Sequence, residues 1–383
     1  MARVRPALVV AAAAVLVVGG AALASGVGDG SGGSAARATT AEAVTTTAGT
    51  SSAPTSGTTA TGTAPAPPAT FDTSLPVGDP RRLPAPKPGE LSGALLTGDG
   101  LCVPGLVDLA APAPPERVAL HVPGCAVAQS PSGRFLATST DTDPEGQPIV
   151  VFDTRTGANR TQRRVYGGIG TGPPAVSDAA AVATCVFTGP VVETPRKTLR
   201  PRGTCGRVAA DGGIAILQGD RRTLRDAATG RTVVRLAQPV RGDLPVLATS
   251  RTGKLIAALA FDVRQAFTML TIYDSEGRVV VPRRRLTNAV RVRAVVLADD
   301  GRTLALRSDV GWELFNLQTD SRLRQIGPQA IVSAGVAPDG SWFVAATPVA
   351  LVFVDAATLA PKLAIPAEAR SVWWLSQLPG RRG

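Results

Sequence analysis

The sequence predicts an all-β chain of repeated four-stranded units set in a ring, and three observations predict it. First, a tight turn recurs along most of the chain: Ser130-Pro131-Ser132-Gly133, Asp211-Gly212-Gly213, Arg251-Thr252-Gly253, Asp299-Asp300-Gly301 and Pro338-Asp339-Gly340, with a weaker copy at Ser177-Asp178. Second, an apolar run follows each turn region and ends in an acid or amide, at Asp153, Asp226, Asp274, Asn316 and Asp355. Markers of each kind lie roughly 35 to 50 residues apart, the length of one four-stranded blade. Third, the ends of this region are complementary fragments of one unit. Residues 106–108 and 118–120 match a third and a fourth strand, while 371–375 matches a first strand with nothing after it. No stretch holds a helical period. The expected fold is a β-propeller of seven blades, six being the alternative, closed by pairing the N- and C-terminal segments.

The elements follow in order. Residues 1–24 carry Arg3 and Arg5, then an uncharged apolar run, then Ala22-Leu23-Ala24. A positive start, an apolar core and a small-x-small site read as a cleaved export signal; the run is also close to the ~18 residues that begin to span a bilayer, so an uncleaved membrane anchor is the competing reading. Both place the remainder outside the cytoplasm, because the arginines stay inside. Residues 25–89 are dominated by Ser, Thr, Ala, Gly and Pro and are expected to be a disordered linker, with too little apolar bulk to offset the entropy of ordering. Ser, Thr and Pro together are also the composition of a glycosylated stalk. The propeller is expected over 90–383.

Both markers have local physical causes. A tight hairpin requires positive φ, hence Gly. An Asp or Asn before such a turn hydrogen-bonds N–H groups two residues on. The recurring Asp residues are therefore expected to hold turns and not to form a catalytic set. The unit at 172–204 lacks the Asp turn, which is why six blades is the alternative.

The stretch from Ser130 to Gly157 and that from Ala337 to Thr358 resemble repeats of the YVTN and WD40-like propeller superfamily. The Gly-His and Trp-Asp pairs of WD40 repeats and the Tyr-Val-Thr-Asn run are missing. The resemblance covers most of 91–383 as a repeat pattern and implies a fold; propellers carry many unrelated activities.

Four cysteines, Cys102, Cys125, Cys185 and Cys205, lie in the region expected to be exported. Three connectivities are open to them. Each pair sets one cysteine in or beside a second strand and the other at the next first strand, so the bridges expected are Cys102–Cys125 and Cys185–Cys205, closing loops of about 20 residues. No Cys-x-x-Cys occurs and the one histidine, His121, falls in an apolar fourth strand, which argues against a metal site and a Ser-His-Asp triad. No nucleophile elbow or phosphate loop is present. No cofactor is expected.

The net charge is +11 and is carried by arginine. It implies attraction to anionic polymers or headgroups. Nucleic acid is excluded as a partner by the expected export and by the lack of aromatic stacking platforms among the basic residues. Two stretches break the repeat. Asp141, Asp143 and Glu145 alternate in an acidic insertion resembling the start of a calcium loop whose downstream carboxylate is missing. Arg196, Lys197, Arg200 and Arg202 form a basic insertion next to Cys205. A second basic cluster is Arg283 to Arg285 with Arg291 and Arg293. Trp373 and Trp374, adjacent in one strand, point to opposite faces.

The expected function is an extracytoplasmic, monomeric binding module, tethered at its N-terminus, for a protein partner or an anionic cell-envelope component. The alternative is a propeller hydrolase or lyase using carboxylates in the central funnel. Converging carboxylates of raised pKa would favour the enzyme.

Overall fold

The computed structural model describes residues 79–98, 104–110, 117–119, 125–139, 148–156, 158–166, 173–186, 189–210, 212–337 and 339–375. They form seven four-stranded antiparallel sheets and one two-stranded hairpin. Six sheets are consecutive meanders, which we number as blades two to seven. Their inner strands are Cys125–Gln129, Ala175–Val176, Arg207–Ala210, Asp243–Thr249, Val292–Leu297 and Ser333–Val336. Blade one is split. Its inner strand is Ser371–Leu375, paired antiparallel with Ala94–Gly98, and Pro104–Asp108 and Arg117–Ala119 complete it. The expected pairing of the two ends is the one found, with Leu96 opposite Trp373 and Leu95 opposite Trp374.

The ring is also visible in how the core is divided. The buried apolar residues fall into seven clusters, one at each junction between neighbouring blades. One of them joins blade seven to blade one through Phe353, Val344, Leu95 and Trp374. This division follows from strand alternation: successive residues face opposite sides of a blade. Trp373 therefore packs toward Leu136 and Phe152 of blade two, while Trp374 meets Phe353 of blade seven edge-on at 5.7 Å. Each indole N–H has a carbonyl, Ala126 O at 3.0 Å and Ser92 O at 2.9 Å. Gly93 has φ of +86°, and a Cβ there would collide with the Leu375 carbonyl, so glycine is required where the two ends meet.

Two features depart from the sequence reading. The folded body starts earlier than composition suggests. Asp79 caps a short 3-10 helix, Pro80–Arg82, by accepting from Arg81 N at 3.0 Å. Pro80 is buried, Leu83 packs on the cluster between blades six and seven, and Ala364 N donates to Pro84 O at 2.9 Å. Residues 79–89, read as the end of the linker, thus lie along the outer strand of blade seven and satisfy part of its free edge. The hairpin Gln325–Ile326 with Gln329–Ala330 is an unanticipated insertion between blades six and seven, anchored by Ile326 and Ile331.

We call the end of the ring where inner strands turn into second strands the turn face, and the end where inner strands begin the opposite face. The segments 1–78, 140–147 and 376–383, with His121 and Cys102, lie outside the described residues.

Candidate functional site

Blade three is the smallest blade, with inner and outer strands, Ala175–Val176 and Thr198–Leu199, of two residues each. Its third strand, Gly189–Glu193, pairs with the outer strand only at Val192 and Glu193. What holds the following segment is covalent: Cys185 and Cys205 are disulfide-bonded, with Cα atoms 5.6 Å apart. Cys125 is also disulfide-bonded; its expected partner, Cys102, is outside the described residues.

Beside this bridge Arg207 is buried. Its Nε donates to Ala183 O at 3.0 Å, Nη1 to Cys205 O at 2.8 Å and Nη2 to Pro173 O at 2.8 Å. Burial pushes its pKa down to about 9. The planar fork thereby ties three backbone segments around the junction of blades three and four.

The basic insertion is divided by the direction of the chain. Arg196 and Lys197 occupy the hairpin between third and fourth strands, on the turn face. Thr194 Oγ1 holds that hairpin, accepting from Arg196 N at 3.3 Å and Lys197 N at 2.9 Å. Arg200 and Arg202 follow the fourth strand at the other end of the blade and line a separate recess with Gly189 and Gly203. The structure therefore does not bring the four cations of the basic insertion together. Asp141, Asp143 and Glu145 lie outside the described residues.

Arg196 and Lys197 stand on the lip of a groove of about 340 Å³ between blades three and four. Its floor is apolar: Val192, Leu199 and Ile214 packed among Ala179, Ala181 and Ala227. The small side chains leave the space. Asp226, also lining the groove, spends Oδ1 on its own turn, accepting from Ala228 N at 3.1 Å and Thr229 N at 2.7 Å. Sequence reading found the cations but not the floor, whose alanines carry no chemical signal.

The central funnel is lined by an inner strand of every blade, through residues such as Ala128, Val176, Ala209, Ala248, Val296, Val336 and Trp373, around a cavity of about 110 Å³. Among the described residues the one carboxylate in its lining is Asp299. It too is engaged, accepting from Thr252 N and Oγ1, both at 2.8 Å.

The turn role expected for the recurring acids is what the hydrogen bonds show. Asp153 Oδ1 accepts from Arg155 N, Asp274 Oδ1 from Glu276 N, Asn316 Oδ1 from Gln318 N and Asp355 Oδ1 from Thr358 N, all between 2.8 and 3.0 Å. Asp108 does the same in blade one. Burial alone would raise the Asp153 pKa, but the Arg155 N–H and the guanidiniums of Arg134 and Arg160 hold it below the usual carboxylate value. Asp262 is lowered by its hydrogen bond to Arg283. Among the described residues no group of three His, Cys, Asp or Glu is placed to hold a metal, and no helix is long and apolar enough to cross a membrane.

No family model matches the sequence, and no curated protein matches it. Solved structures similar to this chain include TolB from Acinetobacter baumannii, at 15% identity and TM-score 0.40, covering 76% of this chain and 68% of that one. The dihydro-heme d1 dehydrogenase NirN in complex with DHE is 13% identical with TM-score 0.42, covering 77% and 79%. The C-terminal WD40 domain of Sif2 is 11% identical with TM-score 0.40, covering 74% and 84%. Likenesses this distant carry no activity across. The strand pairing itself identifies the fold: the chain is a β-propeller, as its resemblance to YVTN and WD40-like repeats implied.

Proposed function

We propose that this chain is an extracytoplasmic binding module, held on a tether formed by residues 25–78 behind an N-terminal export signal or membrane anchor. It binds a protein partner or an anionic envelope component as a monomer. The observation that carries this reading is the groove between blades three and four, which sets an apolar floor behind Arg196 and Lys197. Such a surface suits a ligand with an anionic group beside apolar ones. The Cys185–Cys205 bridge supports an oxidising compartment.

The hydrolase or lyase alternative draws no support from the funnel. Its described lining offers Asp299 alone, bound into a turn, and every carboxylate with a resolved pKa shift is lowered. A general acid would require the reverse.

The test is affinity recovery from cross-linked cell envelopes, using the full chain and an Arg196→Glu, Lys197→Glu variant. A component recovered by the wild type and lost from the variant is the expected result. Recovery of nothing, with turnover of a glycan or ester panel, would replace binding by catalysis. Protease shaving of intact cells checks the compartment, with loss of the propeller expected.

A further inference from the structure

The recess at Arg200 and Arg202 arises because the outer strand of blade three stops early. The third strand runs Gly189–Glu193, yet Thr198–Leu199 pairs only with Val192 and Glu193. Gly189, Pro190 and Val191 have no strand beside them on the outer side. Beyond Leu199 the chain leaves the blade as Arg200-Pro201-Arg202-Gly203. The gap it opens has a volume of about 520 Å³ and is lined by Gly189, Pro190 and these four residues.

The donors around this gap are unspent. Arg200 and Arg202 are exposed, and among the described residues neither guanidinium has a hydrogen bond or an ion pair. The N–H groups of Arg202 and Gly203 are likewise without an acceptor there. No acid lines the recess. Glu193, the acid of the third strand, stands at its far end and accepts from Thr198 Oγ1 at 2.8 Å.

The segment that carries the two arginines is pinned at its far end. Gln218 Nε2 donates to Arg202 O at 3.2 Å, Thr204 N donates to Leu217 O at 2.7 Å, and Cys205 is bonded to Cys185. Gly203 lies so close to blade four that a Cβ would collide with the Ile216 side chain and the Leu217 carbonyl. Pro201 fixes its own φ and keeps Arg200 extended. Residues two apart on an extended segment share a side at a spacing of roughly 6 to 7 Å, and both arginines do line the one recess. Like charges held that near repel, and an anion between them removes the repulsion. Because the backbone is already fixed, a ligand does not have to order it.

We propose that this recess binds a phosphodiester-linked polyol chain, with consecutive phosphates on Arg200 and Arg202. A guanidinium fork takes a phosphate through two parallel N–H donors, and two forks at this spacing match a chain with one charge per short repeat. The lining of Gly, Pro and Arg excludes the other polyanions. It has no ring on which a nucleobase stacks. It has no carboxylate or amide side chain to accept from the hydroxyls of an acidic sugar. It exposes no large apolar side chain to enter a membrane surface. The site extends the binding reading above to the other end of blade three and shares no residue with the groove at Arg196.

The experiment titrates the full chain with labelled poly(glycerol phosphate), with polygalacturonate and with phosphatidylglycerol vesicles. The polyol phosphate is expected to bind, the other two about tenfold more weakly or worse, and added salt to weaken the first. Arg200→Gln with Arg202→Gln should lose about tenfold. Arg264→Gln with Arg302→Gln removes the same charge from exposed arginines elsewhere and should leave the affinity unchanged. Pro201→Gly keeps both cations but frees their spacing, and should lose about threefold. All these side chains lie at the surface, and thermal midpoints near wild type check that the variants are folded. No binding of the polyol phosphate, equal binding of polygalacturonate or of vesicles, equal losses in the two arginine pairs, or indifference to the Arg200 and Arg202 variant would each overturn the proposal. The envelope recovery above turns on Arg196 and Lys197, so either reading can fail without the other.

Discussion

Asp299 in blade six accepts the backbone N–H and the hydroxyl of Thr252 in blade five, each at 2.8 Å. Asp178 and Ser132 repeat the arrangement across blades two and three, with N at 3.1 Å and Oγ at 2.5 Å. In both pairs an acid just after one inner strand reaches back to the turn of the preceding blade. These bonds tie neighbouring turns, as does Asn316, whose Nδ2 donates to Ala356 O and Ala357 O of blade seven. Asp299→Ala should lower stability by about 1–2 kcal/mol, and Thr252→Ser should be nearly silent, since it keeps both donors. Urea denaturation of the two variants checks this; equal midpoints would leave the pair without a role in stability.

Glu313 is fully buried between blades five and six. Its Oε1 takes Arg324 Nε at 2.5 Å and Arg322 Nη1 at 3.3 Å, and its Oε2 takes the Thr287 hydroxyl at 2.7 Å. Burial and the neighbouring Arg324 depress the Arg322 pKa, and Glu313 works against both. Glu313→Gln should cost about 3–5 kcal/mol, because it strands the arginines without their counter-charge. Replacing Glu313 and Arg322 together by Met should recover part of that loss. Chemical denaturation of both variants is the measurement, and a double variant no better than the single would contradict the charge argument.

Reduction of Cys185–Cys205 should release the segment between them, because the outer strand of blade three adds little pairing. The bridge closes a separation of 20 residues, for which about 2–4 kcal/mol is the ordinary stabilisation. Mild trypsin treatment after reduction should cut first at Arg196, Lys197 and Arg202. Cleavage starting elsewhere would mean that pairing, not the bridge, holds this segment.

The Thr223 hydroxyl and the N–H groups of Arg222 and Thr223 lower the Asp220 pKa from 3.8 to about 2. A carboxylate with a depressed folded pKa contributes stability above its unfolded pKa. That contribution fades as pH falls from about 4 through about 2. Asp220→Asn should flatten this part of the stability curve, modestly, because the carboxylate is exposed. Urea midpoints across the acid range test it, and parallel curves for wild type and variant would remove Asp220 from the acid response.

The ring was legible because its markers are local. Gly133, Gly253, Gly301 and Gly340 each stand where a hairpin needs positive φ, at 75°, 72°, 64° and 76°, and hydrophobic alternation places each strand's faces. Strand direction decides the rest. Arg196 and Arg200 are close in sequence, yet the fourth strand runs between them and carries them to opposite ends of the blade. Glu313 sits in a strand where a polar residue reads as solvent-facing, and only the partners Thr287 and Arg324 reveal that it is buried. Val263 and Val310 read as strand residues by type, yet both sit in the hairpins between second and third strands of blades five and six, where they are exposed.

The pairing of Ala94–Gly98 with Ser371–Leu375 also orders events in time. Strands two to four of blade one are synthesised first, yet they have no inner strand until Trp373 and Trp374 arrive, nearly the whole folded region later. Early strands must wait as partners without a sheet, and such distant pairings form slowly. If the chain is exported as proposed above, the ring is completed only once Ser371–Leu375 has arrived beside Ala94–Gly98.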